Sequence, residues 1–358
     1  MGSNPIRSPA VDDLIEVRKD ERFDVEAVTT WALDHEAVPG GVPKVMQFGG
    51  GKANLTYLLS YPDGAELVLR RPPLGPVAAS SHDMSREYRV LSQLWRSFDK
   101  AARAVAFCED IGVIESPFFL MERRDGVVVR GLVPEEYGSG TDTTSNRKLS
   151  EVVVRTLAEL HRVNPDDCAL GDLGHPQGFL DRQVSGWASR WEKSKHEENA
   201  VADDVATWLA AELPGSPDPT LIHNDWRLDN MALDPDDPAT CTAVYDWDMA
   251  TRGDPLADLG TLMGSWFDPG EAPETLGMMP TTSEGWIDRT AAVRLYGDLT
   301  GTDMGRIDWY LVFGAWKLGV VLQQIYIRWV RGQTQDPRFQ FLDEGARQLF
   351  RLAGGRRP

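Results

Sequence analysis

The chain has 358 residues, of which 55 are acidic and 37 basic, for a formal net charge of −18, and 42% are hydrophobic. That length and apolar content exclude disorder and collagen and predict two domains or one bilobal unit with a substantial core. The acidic balance speaks against a nucleic-acid partner, which needs clustered Lys and Arg. The cysteines Cys108, Cys168 and Cys241 are far apart with no C-x-x-C pair, so no disulfide framework or structural zinc is predicted, and a reducing cytoplasm is the expected setting.

Along the chain, residues 1–20 are a candidate disordered segment, and residues 1–10 lack the apolar core of a signal peptide. A helix is predicted over 24–35, then strands over Lys44–Phe48, 55–61 and 65–70, the last two joined by the turn Tyr61-Pro-Asp-Gly64. Residues 85–95 place Tyr88, Leu91, Leu94 and Trp95 on one helical face with Ser85 as N-cap. Strands over 104–107 and 118–121 precede the polar stretch 122–126, read as a hinge. The expected organisation is a β-rich nucleotide-binding lobe over 1–121, a hinge over 122–126, and a helical catalytic and acceptor-binding lobe over 127–358.

Beyond the hinge, apolar spacing predicts helices over 149–161 and 179–193. Short strands at Thr220–Ile222 and 242–245 each end at an acidic cluster. The apolar stretch 309–330 is interrupted by Lys317, Gln323, Gln324 and Arg328, so it reads as a buried helix and no membrane partner is expected.

The two clusters carry chemistry. In His223-Asn-Asp-Trp-Arg-Leu-Asp-Asn230, Asp225 can orient a hydroxyl and accept its proton, Arg227 can steady phosphoryl oxygens, and the Asn230 carbonyl can ligate Mg²⁺. In Val244-Tyr-Asp-Trp-Asp248, the Asp246 carboxylate offers the hard oxygen that Mg²⁺ prefers. A lone Asp-Trp-Asp is usually a solvated loop; paired with the first cluster, that plain reading weakens.

With Gly253-Asp254-Pro255 and Asp258-Leu259, these residues resemble the aminoglycoside phosphotransferase family, a branch of the protein-kinase-like fold. The family pattern runs His-Gly-Asp, four residues, Asn, then Asp-Trp-Glu and Gly-Asp-Pro with a following Asp-Leu. The resemblance implies an α+β bilobal fold, with ATP and Mg²⁺ as cofactors and a small-molecule hydroxyl as acceptor. It makes Asp225 the catalytic Asp, gives Mg²⁺ to Asn230 and Asp246, and leaves His223, Asp254 and Asp258 as structural support. Asn224 replaces the usual Gly, which an αL backbone tolerates. Asp248 replaces Glu and is a shorter, secondary metal candidate.

In the N-lobe, Gly49, Gly50 and Gly51, followed by Lys52 and Asn54, lie between two strands, where small residues let N–H groups approach phosphates. Alone this is a Gly-rich turn, and no Walker A motif occurs. Arg70 occupies the strand position where kinases carry the phosphate-binding Lys, with Glu87 as its helix partner; Lys52 is a second cation. Met121, Glu122 and Arg123 at the hinge are candidates to line the adenine. Together with the segments 48–57, 69–73, 86–91, 157–161 and 182–187, this pattern looks like the phosphotransferase module fused to some acyl-CoA dehydrogenases and its free-standing bacterial relatives, where Arg at this strand position is usual.

That branch implies a hydroxyacyl-CoA acceptor, with an acyl-CoA dehydrogenase acting on the product. Alternatives are an aminoglycoside 3'-type kinase and a catalytically weak pseudokinase serving as a nucleotide-binding module. Arg182, Arg190, Lys193 and Lys195 are candidate cations for a CoA, against the plainer reading of a solvated helix face. His161 reads as a packed histidine, and Trp266, Trp286, Trp309 and Trp316 as core rather than an acceptor cleft.

Overall fold

The computed structural model describes residues 14–35, 39–49, 54–74, 83–273, 276, 279–334 and 336–358. The N-lobe is one antiparallel sheet in the order β1-β2-β3-β4-β6-β5, built from β1 (Leu14–Ile15), β2 (Lys44–Phe48), β3 (Leu55–Ser60), β4 (Glu66–Arg71), β5 (Ala104–Cys108) and β6 (Phe118–Glu122). The β3–β4 hairpin forms where the sequence places it: Tyr61 N donates to Ala65 O at 2.9 Å, and Gly64 N to Tyr61 O at 3.0 Å. Gly64 has φ +89, a conformation that glycine adopts freely.

Three helices dress this sheet: α1 (Val25–Asp34), α2 (Met84–Leu94) and α3 (Ile111–Ile114). The α2 cap is Asp83, not Ser85: the Asp83 carboxylate accepts from Ser85 N at 3.0 Å and Arg86 N at 3.2 Å. Both residue types cap helices, but the anion also complements the N-terminal dipole, and it immediately precedes the first helical residue, Met84. The face of α2 turned inward carries Glu87 beside Val90, Leu91 and Leu94.

Disorder over 1–20 fails for the described part, 14–20. Leu14 and Ile15 pair with Phe48 and Gln47 of β2, and Arg18 N donates to the Gln47 side chain at 3.1 Å. Arg71 secures the same segment by donating to Glu21 O at 2.6 Å and Tyr57 Oη at 2.9 Å. Strand alternation therefore sends Arg71 to the outer core and Arg70 to the opposite face, toward the cleft.

The C-lobe follows with α4 (Thr143–His161), α5 (Phe179–Ser194), α6 (Ala200–Ala211), α7 (Pro255–Gly264), α8 (Arg289–Thr300), α9 (Ile307–Val330) and α10 (Leu342–Gly355). Two small sheets, β7 (Thr220–Ile222) with β10 (Thr251–Gly253) and β8 (Met231–Leu233) with β9 (Cys241–Val244), hold the loops between them. Helix α9 is long and apolar enough to cross a membrane, yet 67% of its most apolar stretch is buried, against α5, α6, α7 and α10. Trp309 and Trp316 on it donate to Leu209 O at 3.2 Å and Ala202 O at 3.1 Å; with Trp266 they are core, as expected of buried indoles with a partner.

One close approach matters for the site. A Cβ on Gly314 of α9 would stand 1.7 Å from Gly260 O of α7, so α7 and α9 touch backbone to backbone. That contact sets Lys317, one turn beyond Gly314, against Thr261 and the loop that follows β7.

Candidate active site

Strand β7 ends at Ile222, and the chain turns at once through His223, Asn224 and Asp225. Asn224 adopts φ +68, the αL conformation in which Asn is enriched. The turn is held from below by Asp258 on α7, whose Oδ2 accepts from His223 N at 2.6 Å and whose Oδ1 accepts from Asn224 N at 2.8 Å. His161 approaches the same carboxylate at 3.5 Å and meets Tyr296 Oη at 2.7 Å. Against the cost of burial, the histidines and N–H donors hold the Asp258 carboxyl below the usual aspartate range.

A pH-dependent expectation follows. A carboxyl lowered on folding stabilises the fold above its unfolded pKa, and that contribution fades as pH falls through the folded value. Asp258→Asn is expected to cost about 3 kcal/mol at neutral pH, since an amide replaces a buried, doubly hydrogen-bonded anion. Thermal melts should show the gap to wild type closing under acid; a gap constant with pH contradicts the assignment.

Asn230 closes the loop on itself, its Nδ2 donating to Asp225 O at 2.9 Å and Asp225 Oδ2 at 3.1 Å. Arg227 Nε lies 3.4 Å from Asp225 Oδ2 and 3.1 Å from Asp229 Oδ1. The second loop, after β9, is bonded to the first at three points. Tyr245 N donates to Asn230 O at 2.8 Å, His223 Nε2 lies 2.8 Å from Tyr245 O, and Asn224 Nδ2 donates to Met249 O at 2.8 Å. Because that carbonyl only accepts and Asp225 N donates to His223 Nδ1 at 3.3 Å, the ring carries its proton on Nε2. His223 is thus a brace between the two loops. Asp246, next in line, also has φ +66.

Across the cleft, Arg70 Nε donates to Glu87 Oε2 at 2.8 Å and its Nη2 pairs with Asp246. Glu87 is 1% exposed; burial pushes its carboxyl up, Arg70 pulls it down, and Asp246 and Asp248 push it up again. Arg70 therefore joins a carboxyl group of the N-lobe to one of the C-lobe, with Asp248 near enough to act on both Arg70 and Glu87. Arg86 clamps α2 to the second loop by donating to Ala250 O at 3.1 and 2.8 Å.

The model of the phosphotransferase enzyme family APH matches residues 44–292. The chain belongs to the APH phosphotransferase family. Acyl-CoA dehydrogenase family member 11 of Gallus gallus is 29% identical over 330 residues, covering 89% of this chain and 41% of the relative; the chain thus spans about two fifths of that relative's length. A crystal structure of a protein from Ralstonia eutropha is 29% identical with a TM-score of 0.80, covering 94% of this chain and 98% of that one. The spectinomycin phosphotransferase solved with ADP and spectinomycin, at 9% identity, TM-score 0.56 and coverage of 93% and 99%, shares the fold. This member of the APH phosphotransferase family has the bilobal kinase-like α+β fold.

Within this phosphotransferase, Asp225, Arg227, Asn230, Asp246, Asp248, Arg70 and Glu87 converge on one cleft. Asp254 caps α7 by accepting from Leu256 N at 2.9 Å and takes the Tyr310 hydroxyl at 2.7 Å. Asn54 is buried, and Gly49 lies at the end of β2; Gly50, Gly51 and Lys52 lie outside the described residues. In the stretch 122–126, Glu122 N donates to Arg103 O at 2.9 Å, and Arg123 pairs with Glu66 and with Asp125 at 2.8 Å.

The candidate CoA cations fare less well. Arg182 spends its guanidinium on the carbonyls of Gln177 and His175, and Lys195 reaches Glu192 at 3.2 Å. Arg190 stacks 4.5 Å from the Trp187 ring centroid. Residues that sequence reasoning missed are Arg86 and Lys317. The signal for Lys317 was present: a lysine inside an apolar helix is rarely buried without a partner.

Proposed function

We propose that the chain moves the γ-phosphoryl group of Mg-ATP directly to the hydroxyl of a hydroxyacyl-CoA. The observation that carries the reading is the bonding of the Asp225 and Asp246 loops to each other opposite the Arg70–Glu87 pair. Asp225 Oδ2 is engaged by Asn230 and Arg227, so Oδ1 is the oxygen that takes the acceptor's proton as the new O–P bond forms and ADP departs. Arg70 and Arg227 bring positive charge to the phosphate oxygens from opposite lobes.

The donor set fits Mg²⁺. Asn230 spends its nitrogen on Asp225 and so leaves its carbonyl oxygen for a metal, with Asp246 and Asp248 supplying carboxylates from the second loop. Among the described residues no three His, Cys, Asp or Glu side chains form a closed metal cage, and Mg²⁺ characteristically binds through one or two carboxylates plus substrate phosphates. When bound, the ion neutralises the phosphate charge. Arg70, paired here with Glu87 and Asp246, would donate to phosphate oxygens as well.

In this reading adenine lies along residues 121–123, with Gly49, Gly50, Gly51 and Asn54 over the phosphates. The name of the curated relative, an acyl-CoA dehydrogenase family member, supports a CoA thioester as acceptor and a dehydrogenase-class enzyme as the consumer of the product. The free, buried cysteines support a cytoplasmic location. The complete Asp225, Asn230 and Asp246 set speaks against a pseudokinase.

The acceptor is tested by ADP release with Mg-ATP across hydroxyacyl-CoA thioesters, free hydroxy acids and aminoglycosides. The thioesters should give the highest kcat/KM. An aminoglycoside turned over faster than every thioester overturns the acceptor assignment while leaving the kinase chemistry intact.

A further inference from the structure

The mechanism so far leaves one buried charge without a part. Lys317, on the apolar helix α9, is 7% exposed. Its Nζ donates to the Asn224 carbonyl at 3.2 Å and to Thr261 Oγ1 at 3.2 Å, and it lies 5.3 Å from the Trp187 ring centroid. Neither hydrogen-bond partner is a carboxylate, and taking an ammonium out of water costs several kcal/mol. Methionine could fill the same space between α5 and α7 at none of that cost. Packing alone therefore does not account for a lysine here.

What an ammonium adds at this point is a donor to one peptide and a positive charge near one carboxylate. The Asn224 carbonyl belongs to the peptide that joins Asn224 to Asp225. That residue sits at φ +68, with its N–H held by Asp258 at 2.8 Å and its side chain held by Met249 O at 2.8 Å. Its carbonyl is the remaining free handle. A peptide next to an αL residue can rotate toward the more populated β region, and that rotation would swing Asp225 away from its neighbours.

We propose that Lys317 is a positioning residue for phosphoryl transfer: its ammonium locks the Asn224–Asp225 peptide and so aims the Asp225 carboxylate at the acceptor hydroxyl. The inference rests on Asp225 being the base. The charged groups that face the ammonium come from three elements: Asp258 on α7, Asp225 on the loop and Arg190 on α5. Burial pushes the Lys317 pKa down, the two aspartates oppose this, and Arg190 adds to it. The protonated form makes the lock, so the lock weakens as pH rises through that lowered value.

The test compares Lys317→Met with wild type and with Asp225→Asn, following ADP release from Mg-ATP with hydroxyacyl-CoA thioesters and with water as acceptor. Amide hydrogen exchange of residues 223–230 is measured on the same proteins. Lys317→Met is expected to lower kcat by about 10²-fold with KM for ATP unchanged, the scale of a roughly 1 Å misplacement of a reacting group. Wild-type kcat should fall on the alkaline side, and the variant should lack that fall. Exchange should quicken at 223–230 alone. A variant with wild-type kcat and wild-type exchange in the loop overturns the proposal; so does exchange that quickens across all of α7 and α9 with Tm reduced, which marks a packing residue. Should Asp225→Asn retain wild-type turnover, the base assignment fails, whereas the exchange data still decide whether Lys317 holds the loop.

Discussion

Asp225→Asn is expected to lower kcat by about 10³-fold or more while Mg-ATP still binds and Tm stays near wild type. Asparagine keeps the shape and can still face Asn230 and Arg227, but it cannot take a proton. General base catalysis contributes typically about 10²- to 10⁴-fold, and 10³-fold corresponds to about 4 kcal/mol of barrier. The side chain is 35% exposed, so loss of the charge should be felt in rate rather than in folding. Steady-state kinetics with a parallel nucleotide-binding isotherm separates the two. If KM for ATP rises with kcat preserved, Asp225 binds nucleotide and is not the base.

Asp246→Asn should match that loss in rate by a different route. Here the expected signature is weaker Mg-ATP binding together with a fall in kcat of about 10³-fold, partly restored at high Mg²⁺. The variant also frees Arg70, which pairs with Asp246 and Glu87 simultaneously. With one of two opposing carboxylates gone, repulsion on buried Glu87 falls, so the N-lobe side of the cluster should hold together and Tm should not drop. Nucleotide-free melts and Mg²⁺ titrations of ADP release measure both effects. Unchanged Mg²⁺ dependence in this variant places the metal elsewhere.

Much of the chain could be read locally. Alternating strands and the Tyr61–Gly64 turn placed β2, β3 and β4 within a residue or so, because hairpins depend on neighbours in sequence. The β1 strand was invisible for the opposite reason: it has two residues, and its partner β2 lies about thirty positions away. Asp83 and Ser85 both satisfy capping chemistry, and only the carboxylate's bonds to Ser85 N and Arg86 N decide between them.

The site divides along the same line. Asp225, Asn230 and Asp246 were legible because loop chemistry fixes residue types at short spacing. What couples them was not. The bonds from His223 to Tyr245 and from Asn224 to Met249 join segments more than twenty positions apart, and Asp258 is thirty-five positions from His223. Lys317 reaches the loop from ninety-three positions away, through a helix approach that depends on Gly260 and Gly314 lacking side chains. Periodicity marks such a lysine only as an interruption; three-dimensional packing gives it a neighbour.

The most direct test of the central claim uses ATP labelled on its γ-phosphate, Mg²⁺ and hydroxyacyl-CoA thioesters, with products separated from protein after a single turnover. The expected result is label on the acceptor hydroxyl, none on the protein, and no labelled acceptor with Asp225→Asn. Label retained covalently on the protein, or tight Mg-ATP binding with no transfer to any hydroxyl acceptor, would contradict direct phosphoryl transfer at this site.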